Sequence, residues 1–120
     1  MNKVILMGRL TKDIEMRQTP NGVSLVRFSI AVTRRFKNSN GEYDADFINC
    51  VAWRKTGEFI ARYFQKGSMI AIVGSIQTRS WDGNDGKKQY ATEVIVDEAT
   101  LPAQNLKVVQ AVIPICLIVV

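Results

Sequence analysis

The chain has no histidine, so the side chain that most often acts as general base or metal ligand near neutral pH is missing. Cysteine is scarce too: Cys50 and Cys116 stand far apart with no C-x-x-C spacing, which points away from a zinc site and a disulfide framework. Reduced thiols in a cytosolic protein are the expectation. There is no G-x-x-x-x-G-K segment, and no Ser or Cys beside a recognisable base. Asp44 with Asp46, and Asp82 with Asp85, form close acidic pairs, but the further oxygen ligands of a divalent-metal site are not evident. The apolar run at the start stops at Arg9, short of the roughly 7–15 residues of a secretory core. The apolar stretch over residues 106–120 is broken by Pro114 and is shorter than the roughly 20 residues of a membrane span. The sequence therefore predicts no enzyme, no metal, no cofactor, no export and no membrane insertion.

What is present is ordinary for one folded domain: 120 residues, 47% hydrophobic and 22% charged. Sixteen Lys and Arg against eleven Asp and Glu leave a charge of +5. That surplus favours a polyanion, nucleic acid or an acidic membrane surface, without choosing between them.

Alternation marks the strands. Residues 2–10 are apolar on both pleat parities, which predicts a strand covered by the core on one side and by a second subunit on the other. Thr19-Pro20-Asn21-Gly22 reads as a turn. Residues 23–36 read as a long strand with Val26, Phe28, Ile30 and Val32 on one face. A polar loop at 37–41 precedes a strand over 46–54, with Ile48, Cys50 and Ala52 on one face and Phe47, Val51 and Trp53 on the other. A helix follows, with Thr56 as N-cap, Phe59, Ile60, Tyr63 and Phe64 at helical spacing, and Gly67 as the stop. Its aromatic face is expected to plug the barrel. Residues 68–79 and 90–97 read as two more strands, joined by a long polar loop carrying Trp81.

Three strands, a helix and two strands predict a mainly β chain: a five-stranded OB-fold barrel with one helix between strands 3 and 4. Residues 1–100 form that domain, and residues 101–120 an atypical apolar segment, either an extra strand or an aggregation-prone end.

Bases stack on exposed rings, each stack contributing about 1–3 kcal/mol with little regard for base identity. Phe47 and Trp53 share a strand parity and project roughly 20 Å apart from the face opposite the core. Phe36 stands at a loop mouth beside Arg34, Arg35 and Lys37, and Trp81 at another between Arg79 and Lys87 and Lys88. Rings interleaved with cations are what a single-strand binder needs. With Arg54, these seven cations are the candidates for phosphate contact. The same observations leave alternatives: Phe47 and Trp53 equally fit a subunit contact, Phe36 a loop anchor, and Phe59, Tyr63 and Phe64 the barrel plug. An interaction module built on the barrel, or a nuclease using Asp44 and Asp46, are the competing functions.

Several stretches resemble the bacterial and phage single-stranded DNA-binding proteins of the homotetrameric OB-fold kind. They are Met1 to Asp13, Thr19-Pro20-Asn21-Gly22, Phe47-Ile48-Asn49-Cys50-Val51-Ala52-Trp53-Arg54-Lys55, Tyr63-Phe64-Gln65-Lys66-Gly67-Ser68, Gly74 to Trp81 and Tyr90-Ala91-Thr92-Glu93-Val94. The resemblance covers residues 1 to about 100. It implies stacking rings at Phe36, Phe47, Trp53 and Trp81, and a homotetramer in the cytoplasm with DNA wrapped outside, serving replication, recombination and repair. The family's Gly-, Gln- and Asn-rich linker and acidic tip with a final Phe have no counterpart here, since the sequence finishes Ile118-Val119-Val120. The resemblance thus does not extend to the partners that the tip recruits.

Overall fold

A strand whose side chains alternate between core and solvent buries one face, and the computed structural model, which describes residues 1–102, joins five such strands and one short exposed strand into one sheet. These are β1 (Val4–Leu10), β2 (Glu15–Gln18), β3 (Ser24–Lys37), β4 (Tyr43–Trp53), β5 (Met69–Asp82) and β6 (Lys88–Thr100), with the helix α1 (Arg54–Tyr63) between β4 and β5. The expectations placed on residues 106–120 lie outside the described residues.

The sheet runs β1-β5-β6-β4-β3-β2, and a further β1–β3 pairing closes five of these strands into a barrel. Strand β1 makes the closure by changing partner along its length. Val4 to Arg9 lie opposite Gly74 to Met69 on β5, while Arg9 and Leu10 lie opposite Ala31 and Ile30 on β3. Gly8 allows that turn of the barrel wall, because a Cβ there would sit 2.6 Å from the Ala31 carbonyl oxygen. The parallel pair β4–β6, with Cys50 opposite Val94 and Val51 opposite Ile95, seals the other side. This is the expected OB-fold barrel. The short β2, paired along Ser24 to Arg27 of β3, is an addition, and it moves the helix to a place between the fourth and fifth strands.

The core is filled from inward parities: Val26, Phe28 and Ile30 from β3, Cys50 and Ala52 from β4, Ile70 and Ile72 from β5, Val94 and Val96 from β6. The helix closes one end with Ile60, and Phe64 follows it inward just past the last turn. Gly57 lets the helix lie close on β4, since a Cβ there would meet the Ala52 carbonyl oxygen at 2.6 Å.

Three local expectations are corrected. The N-cap is Trp53, with no side-chain hydrogen bond, and Thr56 lies inside the first turn. The helix ends at Tyr63, before Gly67, because the following backbone finds other acceptors: Lys66 N–H donates to Asp13 Oδ1 at 2.9 Å and Gly67 N–H to the Leu10 carbonyl at 2.8 Å. Of the three helix-region rings assigned to the plug only Phe64 is buried, while Phe59 and Tyr63 remain exposed and pack on each other at 5.1 Å between centroids. The helix is short, so one inward turn reaches the core.

Candidate nucleic-acid interface

The outer face of β4 carries the first two rings. Phe47 stands opposite the small Ala31 and is 68% exposed; Trp53, opposite Leu25, is 39% exposed. Val51, which the parity places between them, is instead buried, flanked by Arg27 on β3 and Ile95 on β6. Asn49 is the exposed polar group between the rings.

The other two rings ride on hairpin arms that leave the barrel. Strands β3 and β4 continue past a register shift between Thr33 and Lys37, and Phe36 at 80% exposure sits on this arm. The turn is built on Asn38: its Oδ1 accepts from Asn40 N–H and Glu42 N–H, and its Nδ2 donates to Asp44. Strands β5 and β6 run on to Asp82 and Lys88, so both ends of the expected polar loop are paired strand and the turn narrows to residues 83–87. Trp81 lies opposite Gln89 on paired backbone, 42% exposed, with the Arg79 guanidinium carbon 4.7 Å from its ring centroid.

The seven candidate cations divide. Arg35, Lys37, Arg54, Lys87 and Lys88 are exposed and, among the described residues, free of ion pairs. Arg34 is held by Asp46, with Nη2 2.8 Å from Oδ1. This pair holds the Asp46 carboxyl below its ordinary range through the Arg34 hydrogen bond, and raises Arg34 in return. Arg79 faces Glu93, Nε to Oε1 3.5 Å. Arg54 is also unusual in backbone, at φ 57° where β4 turns into the helix. It lines a hollow with Trp53, Lys55 and the 22–24 turn.

Sequence reasoning missed several residues of this surface. Tyr43 shares the outward parity of Phe47 and Trp53 and is 56% exposed, with Lys37 Nζ 5.8 Å from its ring. Tyr90, 74% exposed, stands opposite Ser80 on the second arm. Tyr43 was within reach of the parity rule. Tyr90 was not, since its parity matches the buried Val94 and Val96. A groove of about 400 Å³ crosses the same face, its lining including the cations Lys12, Arg17, Arg27 and Arg79 and the acids Asp13, Glu15 and Glu93.

The acidic pairs have other employment: Asp46 binds Arg34, Asp44 accepts from Asn38, and Asp85 accepts from Lys87 N–H. Among the described residues no three His, Cys, Asp or Glu side chains gather at one point. Nor, among them, is any helix long and apolar enough to cross a membrane.

Comparison with known proteins matches residues 1–102 to the single-strand binding protein family. A Bacillus cereus protein named single-stranded DNA-binding protein is 55% identical over 97 residues, covering 81% of this chain and 57% of its own length. Single-stranded DNA-binding protein 3 of Listeria innocua is 53% identical over 97 residues, covering 81% and 61%. Single-stranded DNA-binding protein 1 of Lactococcus lactis is 50% identical over 105 residues, covering 88% and 70%. The chain thus spans somewhat over half the length of the first two of these curated relatives. The match takes in the closed barrel and both arms, and the chain belongs to the single-strand binding protein family.

Proposed function

We propose that the chain binds single-stranded DNA with little sequence preference, stacking bases on Phe36, Phe47, Trp53 and Trp81. Arg35, Lys37, Arg54, Lys87 and Lys88 take phosphates directly, Arg34 does so on exchanging Asp46, and Arg79 does so while Glu93 still holds it. The observation that carries this reading is the open position of all four rings on one outer face and its two arms, with cations beside Phe36, Trp53 and Trp81. Rings accept any base, since every base has a π-face, and the cations follow the backbone. The family's proteins are non-enzymatic DNA-binding proteins, and this chain is not an enzyme. The names of the relatives support the ligand.

Self-association is part of the proposal. Ile5 and Met7 on β1 are exposed beside Ala71 and Val73 of β5, an apolar outer strip that a second copy of the chain covers in a homotetramer. The setting is the bacterial cytoplasm, where single strands arise in replication, recombination and repair.

The test is the affinity for an unstructured oligonucleotide of a Trp53→Ala, Trp81→Ala protein shown to be folded. Loss of about tenfold per ring is expected, from a stacking contribution of about 1–3 kcal/mol each. Unchanged affinity overturns the reading and moves both rings to protein contacts.

A further inference from the structure

Glu93 is an acid set between two arginines on the outer face of the barrel. Its side chain is only 11% exposed, and its two oxygens serve different arginines. Oε2 accepts a hydrogen bond from Arg27 Nη1 at 3.2 Å, and Oε1 lies 3.5 Å from Arg79 Nε. Arg27 comes from β3 and Arg79 from β5, the strands on either side of the β4–β6 pair, so one carboxylate braces the outer surface of four strands. The chain of contacts continues, because Arg79 lies over the Trp81 ring at 4.7 Å. A guanidinium seated on an aromatic face is attracted by the ring's quadrupole, and it covers that face while leaving the other open.

An exposed arginine ordinarily samples many rotamers, and a ring on an arm has little packing to orient it. Here Arg79 is held from its own side of the sheet by Glu93, and it in turn meets Trp81. We propose that Glu93 is a positioning residue for the stacking site: its carboxylate fixes Arg79, and through Arg79 it sets the attitude of the Trp81 ring. The inference rests on the single-strand-binding reading above, with Trp81 as a stacking ring. It assigns to an acid a favourable effect on binding a polyanion, opposite to what its charge alone predicts.

The chain has two tryptophans, Trp53 and Trp81, so in a Trp53→Phe background all tryptophan emission reports on Trp81. The first measurement needs no DNA. Acrylamide quenching of Trp81 is compared in Trp53→Phe protein and in the same protein carrying Glu93→Gln, Arg79→Gln, or both. Glu93→Gln is expected to loosen the ring and raise quenching, Arg79→Gln to do the same, and the double change to add nothing further, as residues acting through one another require. Additive effects, or unchanged quenching in Glu93→Gln, overturn the proposal; a role confined to holding the fold lowers the melting temperature and leaves the coupling absent.

The second measurement is oligo(dT) affinity. Glu93→Gln is expected to weaken binding about two- to fivefold, the scale of an exposed cation–π contact, although it removes a negative charge. Tighter binding shows Glu93 to be a repulsive acid and overturns the proposal. If the wild-type protein itself does not bind oligo(dT), the single-strand-binding reading fails, and the DNA-free quenching decides whether Glu93 positions Trp81.

Discussion

The Arg34 guanidinium grips the Asp46 carboxylate at the base of the β3–β4 arm, with Nη2 2.8 Å from Oδ1 and Nε 3.1 Å from Oδ2. Two-pronged bonds of this kind are the stronger, more directional ion pairs, yet both side chains are about half exposed, and exposed pairs add little to stability. The consequence falls on binding, since a phosphate reaching Arg34 has to displace Asp46. Asp46→Asn is expected to tighten oligonucleotide binding at low salt and to steepen the dependence of log K on log salt by about one unit, as one more phosphate contact becomes available. Titrations across a salt series check this; an unchanged slope means that Arg34 takes no phosphate.

The same pair has a pH signature. Asp46 ionises below its ordinary value of 3.8 because Arg34 hydrogen-bonds its charged form. A lowered folded-state pKa gives a stabilisation that is present above the unfolded value and lost as pH falls through the folded one. Urea unfolding of wild type and Asp46→Asn is therefore expected to differ at neutral pH, with the difference vanishing as pH is lowered below 3.8.

Arg54 occupies the left-handed region at φ 57°, which costs an L side chain about 1–2 kcal/mol. Glycine tolerates that backbone and alanine does not. Arg54→Gly is expected to be more stable than Arg54→Ala by about 1 kcal/mol, while both weaken DNA binding alike by removing one cation. Equal stabilities contradict the backbone assignment, and equal affinity to wild type contradicts the phosphate role.

Cys50 is buried in the barrel wall, and burial pushes its thiol up to about 12. Thiolate is the reactive form, so a Cys116→Ser protein is expected to resist thiol reagents while native and to react once unfolded. Because the folded value is raised, stability is full below the ordinary value of 9.0 and falls as pH climbs from there towards about 12. Native labelling at pH 8 contradicts the burial.

The outer strip of Ile5 and Met7 is expected to bury itself between copies. Ile5→Glu with Met7→Lys, at positions that are 75% and 43% exposed, leaves the barrel folded and lowers the mass in solution. Light scattering that gives the wild-type mass for this variant removes the strip from the interface.

The core strands were legible because half-buried strands carry a period of two: Val26, Phe28 and Ile30 announce β3 and its inward face. Strand β2 was not, since Glu15, Met16, Arg17 and Gln18 are all exposed and are joined to β3 through backbone alone. The arms escaped for a related reason. Beyond the barrel they have no buried face to pattern, so Trp81 reads as a loop residue although Gln89 is paired opposite it. The polar loop that the sequence shows there shrinks to a turn at 83–87, with strand on either side. Phe59 and Tyr63 follow helical spacing without reaching the core, because periodicity marks a face and says nothing of how much of it a short helix can bury. The four stacking candidates are all open, Phe47 and Trp53 on the parity expected of them and Trp81 on paired strand, not in a loop. What no local pattern announces is Glu93, whose arginines lie 66 residues away on β3 and in the neighbouring strand β5.

The central claim is that rings on this face stack on single strands, and intrinsic tryptophan fluorescence during titration with oligo(dT) tests it most directly, at two salt concentrations and with a second base composition. Deep, saturating quenching that survives the change of bases and weakens steeply with salt is the predicted result. A folded protein whose emission does not respond to any oligonucleotide contradicts it.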